Sequence, residues 1–295
     1  MSIVLKKKTP DKIFDVVLYA GLGLFCLATL FPLYYVFIVS VTPYTEVLRS
    51  GGFVLFPSVF TLDAFRTVLG SNVVPNALQV TLFITVAGTM LNLIATTALA
   101  YPLSKKFLPG RNAMLLAIIF TMLFSGGLIP VYMIVKALGM MNTLWALVIP
   151  GMISSFNLLI MKTYFEGLPH EVEEAAKVDG AGDLATLLRI VLPLSLPILA
   201  TLTLFFAVGH WNTYFAGIMY LHERELYPLQ VVLRNMIMTP SVSQELSVPQ
   251  SDLQSLPPET VKMAVVVIAI VPVLVLYPFL QKYFMKGMLI GSIKG

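Results

Sequence analysis

Long apolar runs separated by polar connections set the pattern of this chain. Six of them are evident, at about residues 16–41, 76–103, 112–135, 143–164, 194–220 and 261–281. A helix needs roughly 20 apolar residues to cross the hydrocarbon core of a bilayer, and each run reaches that length. A chain in lipid must also satisfy its backbone hydrogen bonds internally, which a helix does. The pattern therefore predicts an all-α membrane protein with six transmembrane helices.

The composition strengthens this prediction. Of the 295 residues, 58% are hydrophobic and 12% are charged, whereas roughly a quarter of the residues in a soluble protein are charged. The basic N-terminus is followed by an apolar run that is too long for a cleaved signal peptide, so we expect this segment to be retained. The one cysteine, Cys26, lies in an apolar run and cannot form an intrachain disulfide.

The basic residues are distributed unequally between the two sides of the predicted spans. Thirteen of the 19 lysines and arginines fall on one side, which includes both termini, and six fall on the other. Cytoplasmic loops carry the excess of positive charge, so we expect both termini in the cytoplasm. The chain then divides into a cytoplasmic N-terminal segment (1–15), a transmembrane domain (16–281) and a cytoplasmic C-terminal tail (282–295). Thr9 followed by Pro10 is typical of a helix N-terminus and predicts a short cytoplasmic helix before the first span.

The predicted spans lack the residues that several other functions need. They contain no Asp or Glu, whereas proton-coupled transporters usually carry ionisable residues inside the membrane. No Gly-rich phosphate-binding loop occurs, so any ATP that drives this chain binds to another subunit. The three histidines lie far apart in sequence, and with one cysteine they form no cluster suited to a membrane enzyme. We expect no catalytic residue, no metal and no cofactor in this chain.

The longest connection on the predicted cytoplasmic side, residues 165–193, has the pattern of two short helices. An acidic run that begins at Glu171 suits a helix N-terminus, where the helix dipole favours negative charge. Gly180 and Gly182 permit a sharp turn, and apolar residues then recur at helical spacing up to Pro193. Two interpretations are open from these features alone. The segment is either a protruding element that docks into a groove on a soluble partner or an ordinary surface helix between two spans.

The same connection contains a spaced motif. It consists of Glu174-Ala175-Ala176, Gly180 after three intervening residues, and Ile190-x-Leu192-Pro193 after nine more. This pattern resembles the EAA motif, the signature of permease subunits of bacterial ABC importers. Stretches at 124–132, 211–215 and 227–234 resemble the carbohydrate-uptake branch of that family, including permeases for uronate-containing oligosaccharides. The C-terminal residues Gly291–Gly295 resemble the tail of the second permease subunit of maltose importers.

The resemblance implies a type I ABC importer permease in the bacterial inner membrane, with its EAA loop (165–193) acting as a coupling helix. The implied partners are a second homologous permease, two ATP-binding subunits that hold ATP and Mg, an extracytoplasmic binding protein, membrane lipid and an oligosaccharide, but no nucleic acid. The residues expected to couple to the ATPase are Glu173, Glu174, Ala175, Ala176, Asp179, Gly180, Ala181 and Gly182. The tail residues expected to reach the ATPase are Gly291, Ser292, Ile293, Lys294 and Gly295.

Polar residues inside the spans are candidates for a sugar path. They are Thr85, Thr89 and Asn92 on the second span, and His210, Trp211, Asn212 and Tyr214 on the fifth. Hydroxyl, amide and imidazole groups can hydrogen-bond a sugar, and an aromatic ring can stack on it. The alternative for both sets is structural, as packing through hydroxyl residues or as a hydrogen-bonded lock between helices. In either case the polar groups of His210, Trp211 and Asn212 in mid-span must face the bundle or a water-filled cavity.

The sequence thus predicts a permease subunit of an ATP-driven importer. A binding protein delivers an oligosaccharide, ATPase subunits close on ATP, and the coupling helix transmits that motion to spans that expose the sugar alternately to each side. The alternative is a stand-alone secondary transporter of a neutral solute, which would transport without ATP or partners.

Overall fold

The computed structural model describes residues 9–238 and 258–292, and throughout these ranges the regular structure is helical. The α-helices are α1 Thr9–Ser40, α2 Tyr44–Arg49, α3 Asp63–Gly70, α4 Val73–Ser104, α5 Arg111–Leu123, α6 Leu128–Ala137, α7 Trp145–Val148, α8 Ser155–Glu166, α9 His170–Val178, α10 Asp183–Thr186, α11 Leu192–Leu194, α12 Leu196–Trp211, α13 Phe215–Tyr220, α14 Leu229–Met238 and α15 Pro258–Ser292. A π-helical turn, Leu187–Val191, joins α10 to α11, and a 3₁₀ turn, Arg224–Leu226, precedes α14.

Two unbroken helices in the described residues are long and apolar enough to cross a membrane, within Ile13–Ser40 and Val73–Ser104. Both have 32 residues in full, which at 1.5 Å per residue is about 48 Å. The first begins at Thr9 and continues without a break, so the prediction of a separate short helix before the first span was wrong. The last helix, α15, continues to Ser292, beyond residue 281, where the sequence predicted the end of the membrane domain.

Other predicted spans are interrupted. The sequence predicts one helix over 112–135, but α5 and α6 meet at a bend of 111°. Gly127 has a positive φ of 86° at this bend, a backbone conformation that glycine adopts without steric cost. The predicted span 143–164 is likewise divided into α7 and α8. The helical segment that ends at Leu194 is bent by 83° from α12, and the two together form a second bent pair that is long and apolar enough for a span.

The described chain divides into two compact units, and the smaller comprises residues 9–71 and 258–268. In this unit Ile38 packs with Val47 and Val54. Two tyrosine hydroxyls at the end of α1 donate to backbone carbonyls of the loop after α2, Tyr34 to Leu55 and Tyr35 to Gly52, each at 2.6 Å. The Ser58 amide donates to the Glu46 carboxylate at 2.6 Å, and this bond lowers the pKa of Glu46. These bonds order the 43–62 loop.

The larger unit comprises residues 72–238 and 269–292. Its main core lies where α4 packs against α8 and α12, and it includes the fully buried Met161 and Leu202. A second cluster forms around Ile84 of α4 and Val148 of α7. Helix α4 therefore takes part in both clusters. It also carries Thr85, Thr89 and Asn92.

Candidate functional site

The EAA loop folds as the predicted pair of helices. Its first helix, α9, carries Glu171 and Glu173 in its first turn and Lys177 in its last, which suits the helix dipole at both ends. Gly180 has a φ of +78°, and the Ala181 amide donates back to the Ala176 carbonyl at 2.9 Å. This left-handed residue closes the helix, and α10 then begins at Asp183. The helix, turn and second helix expected from the sequence are confirmed.

The outer surface of this loop is open and partly apolar. Ala176 is buried, but five of the eight predicted coupling residues are exposed. These five are Glu174, Ala175, Asp179, Gly180 and Gly182. Val178 is 86% exposed and Leu184 is 69% exposed. Such apolar side chains beside charged ones on a protruding element favour a protein contact surface.

The inner side of α9 is held by charge. Glu173, unlike its neighbour Glu174, is largely buried and pairs with Lys105 in the turn after α4. Lys177 lies on the same side, with its ammonium 5.4 Å from the centre of the Phe107 ring. A cavity of about 210 Å³ separates α9 from the turn that contains these partners. The EAA helix, α9, is therefore connected to the end of α4 by a direct ion pair at the edge of this cavity.

A second ionic cluster lies at the ends of α5 and α8. Glu166 pairs with Arg111 and, at 2.7 Å, with Lys162 one helical turn before it. Arg111 also donates from Nε to the Leu103 carbonyl at 2.8 Å. These contacts connect the ends of α4, α5 and α8 at the same end of the unit as the EAA helix.

Inside the bundle, His210 of α12 packs against the polar residues of α4. Its Nε2 atom lies 3.3 Å from Asn92 Oδ1, and the two residues are 8% and 3% exposed. Gly88 lies directly beneath the imidazole, because a Cβ atom at this position would stand 2.5 Å from Nε2. The imidazole therefore lies in a notch beside Gly88 that any residue with a Cβ atom would fill. Gly88 lies one helical turn before Asn92, the amide partner of the histidine.

The other candidate path residues are placed differently from one another. Trp211 is buried and donates from Nε1 to the Ala269 carbonyl at 2.9 Å. Asn212 is exposed and bonds the Val208 carbonyl of its own helix at 2.9 Å. Tyr214 is 49% exposed. Thr85 and Thr89 are buried, and their hydroxyls have no hydrogen-bond partner within the described residues.

Comparison with known proteins places this arrangement in a family. The family described as "Binding-protein-dependent transport system inner membrane component" matches residues 107–290, a range that includes the whole EAA loop. The chain belongs to this family.

Similar proteins align with this permease along nearly its whole length. The polygalacturonan/rhamnogalacturonan transport system permease protein YtcP of Bacillus subtilis (strain 168) is 43% identical over 97% of this chain and 99% of its own. Protein LplC of the same organism is 44% identical over 96% of each chain. A crystal structure of a bacterial ABC transporter involved in the import of the acidic polysaccharide alginate contains a chain with a TM-score of 0.89 and 35% identity. That match covers 95% of the permease and 100% of the solved chain.

These findings establish the type I ABC permease fold and the function at family level. The chain is a multi-pass inner-membrane permease subunit of an ABC importer, and it is not a stand-alone transporter. It works with ATPase subunits, which carry out ATP hydrolysis, and with a binding protein.

Sequence reasoning missed the charged groups that attach the EAA helix and the neighbouring helices to one another. From the sequence, Lys105 and Arg111 served only as charges that indicate orientation, and Lys162 was interpreted as a residue near a helix end that can reach the membrane interface, although all three form ion pairs. One signal was available, since the connection with Lys105 and Arg111 and the connection with Glu166 and Glu173 were predicted on the same side of the membrane. The predicted tail contacts at Ile293, Lys294 and Gly295 lie outside the described residues. Gly291 and Ser292 belong to the last turn of α15.

Proposed function

We propose that the permease imports a uronate-containing oligosaccharide that a binding protein delivers. The observation that carries this proposal is the likeness over nearly the full chain to two systems for acidic polysaccharides. One is YtcP, whose name specifies polygalacturonan and rhamnogalacturonan, and the other is the importer of alginate. Both kinds of substrate are rich in uronic acids, and the two matches cover 97% and 95% of this chain.

The proposed assembly contains this permease, a second homologous permease and two ATPase subunits that bind ATP and Mg. Each permease spans the membrane six times with both termini in the cytoplasm. The distribution of lysine and arginine supports this orientation. Closure of the ATPase pair on ATP would drive the spans between inward-facing and outward-facing states. ATP and the sugar would each shift this equilibrium through their different affinities for the two states.

The EAA loop is the proposed contact with the ATPase. Its exposed face combines Glu174 and Asp179 with the apolar side chains of Val178 and Leu184, which gives both charge and apolar area for a groove on a soluble partner. The C-terminal tail, Gly291–Gly295, is a second proposed contact, supported by its resemblance to the tail of the second permease subunit of maltose importers.

His210 and Asn92 are proposed as an interhelical lock rather than as a wall of the sugar path. Both are buried against each other between α12 and α4, and a buried polar pair of this kind fixes how two helices meet. Tyr214 and Asn212 are exposed and remain the candidates for contact with the sugar.

Reconstitution tests the proposed substrate. The permease, its partner permease, the two ATPase subunits and the binding protein are placed in proteoliposomes, and uptake of oligogalacturonides is compared with uptake of malto-oligosaccharides of equal length. We expect ATP-dependent uptake of the acidic sugars only, with ATP hydrolysis that rises when the loaded binding protein is added.

Two controls make this experiment decisive. Vesicles with the permease pair but no ATPase should show no uptake of either sugar. Preferential uptake of the neutral sugar by the complete system would refute the uronate proposal while leaving the permease function intact.

A further inference from the structure

The ion pair between α9 and the turn after α4 is the best-defined contact of the EAA helix with the rest of the unit. The side chains of Glu173 and Lys105 are only 14% and 16% exposed. The other acidic residues of α9, Glu171 and Glu174, are exposed. Glu173 therefore points toward the bundle, although its place in the motif grouped it with the residues expected to contact the ATPase.

Lys105 is held on its other side by the core. It is the residue at the C-terminus of α4, and its amide bonds the Pro102 carbonyl at 3.0 Å. Its ammonium lies 4.3 Å from the centre of the Tyr101 ring, within the range of a cation–π interaction. Tyr101 in turn packs edge-on against Phe165 at 6.3 Å. Both rings belong to the core cluster shared by α4, α8 and α12.

The surroundings of the pair leave little apolar packing between α9 and this turn. The cavity of about 210 Å³ lies between them, and its lining includes Glu173, Lys105 and Lys177. Phe107, on which Lys177 rests, is 74% exposed. The direct side-chain contacts between α9 and this turn are therefore made by charged groups, Glu173 with Lys105 and Lys177 with the Phe107 ring.

We propose that Lys105 and Glu173 form a strut that transmits movement of the EAA helix to α4 and its core. Lys105 is then a positioning residue for transport, acting through Glu173 and Tyr101 rather than touching ATP or sugar. A largely buried pair suits this role, since removal of one partner leaves the other charge uncompensated. The inference rests on the proposed contact of the EAA loop with the ATPase.

A charge exchange tests the strut. Lys105→Glu, Glu173→Lys and the double variant K105E/E173K are each assembled with the partner subunits in proteoliposomes. The measured quantity is the number of sugar molecules imported per ATP hydrolysed. We expect each single variant to lower this ratio on the order of tenfold, and the double variant to recover most of it, as groups in direct contact do in double-mutant cycles.

Two control variants separate the strut from general effects of charge and stability. Lys106→Glu makes the same charge change at an exposed neighbour and should leave the ratio at the wild-type value. Glu166→Gln removes a carboxylate that pairs with Arg111 and Lys162 rather than with α9. It should lower thermal stability while leaving the ratio unchanged.

The outcomes distinguish this inference from the proposed function. Single variants that import sugar at the wild-type ratio would overturn the strut, as would a double variant that recovers nothing. If the wild-type complex imports no oligogalacturonide, the proposed substrate is wrong. The strut is then tested through ATP hydrolysis stimulated by the binding protein, where the same loss in the single variants and recovery in the double variant are expected.

Discussion

Gly88 shows how one residue determines a contact between two helices of the permease. The imidazole of His210 lies over it, and a Cβ atom added at this position would stand only 2.5 to 2.8 Å from three ring atoms. These distances are well below ordinary van der Waals contact, so any side chain here displaces the histidine. The glycine thus permits the close approach of α12 to α4 that brings His210 to Asn92.

We expect Gly88→Ala to destabilise the permease by about 1–3 kcal/mol, the usual cost of overpacking a well-packed site. The measurement is thermal unfolding of the purified protein in detergent. Gly209→Ala is the matched control, because a Cβ there meets nothing within 4 Å and alanine is favoured over glycine in a helix by about 0.5–1 kcal/mol. Equal stability of the two variants would contradict the assignment of this notch. Adding His210→Ala to Gly88→Ala should remove much of the loss of stability, because the imidazole is then absent.

The sequence identified the residues of this site without identifying their pairing. His210 and Asn92 were both recognised as polar positions in apolar runs, yet they are 118 positions apart in the chain. Periodicity predicts which face of a helix is polar, but it does not predict which other helix meets that face. The role of Gly88 could not be predicted from the sequence, because it depends on a side chain from α12.

At the scale of the element, the EAA loop depends on the backbone of its turn. Gly180 and Gly182 lie two residues apart, and a Cβ added to either would meet no atom within 4 Å. They differ in conformation, since Gly180 has a φ of +78° whereas Gly182 has a φ of −73°. Only the first requires the left-handed region, which costs a residue with a Cβ roughly 1–2 kcal/mol.

This difference predicts that Gly180→Ala impairs transport much more than Gly182→Ala does. The strained turn would favour a different angle between α9 and α10, and the exposed surface for the ATPase would be lost without unfolding the spans. Sugar uptake and ATP hydrolysis are measured in the reconstituted complex. We expect uptake by Gly180→Ala to fall about fivefold to thirtyfold, the equivalent of 1–2 kcal/mol. Similar uptake by both variants would show that the turn conformation is unimportant for coupling.

The elements were predicted well where the signal was local. The acidic first turn and the following glycines were sufficient to predict α9 and its end. The breaks within the apolar runs were not predicted, because a hydropathy window averages over glycine and proline. The 111° bend between α5 and α6 occurs at Gly126-Gly127, and the division between α7 and α8 contains Pro150-Gly151. These residues were visible, but bundle packing can tolerate them in a continuous helix or use them to break it.

At the scale of the whole larger unit, two sets of contacts lie at opposite ends of α4. Near its N-terminus, Asn76 donates to the Glu225 carbonyl at 2.6 Å, and Asn142 accepts from the amides of His222 and Glu223. At its C-terminus are the ion pairs of Lys105 and Arg111. The roughly 29 residues from Asn76 to Lys105 span about 43 Å, the thickness of a bilayer with its headgroups. We therefore expect the two sets of loops to face opposite sides of the membrane.

Thiol labelling assigns these two sides absolutely. Cys26 is the one cysteine of the chain, so a Cys26→Ser variant provides a background for single introduced cysteines. His222 and Val178 belong to the opposite ends, and both are exposed. The excess of basic residues near Lys105 predicts that this end lies in the cytoplasm. We therefore expect His222→Cys to react with a membrane-impermeant maleimide in intact cells, and Val178→Cys to react only after permeabilisation.

A bound ATPase subunit can shield Val178, and a second inner position removes that ambiguity. Lys106 is exposed in the turn after α4, on the other side of the cavity from the coupling surface, and Lys106→Cys should follow the pattern of Val178→Cys. If Lys106→Cys reacts in intact cells and His222→Cys does not, the orientation is reversed. The EAA loop would then face away from the compartment that holds ATP, and neither coupling through this loop nor the strut would be possible. If all three sites react only after permeabilisation, α4 does not separate the two ends across the bilayer.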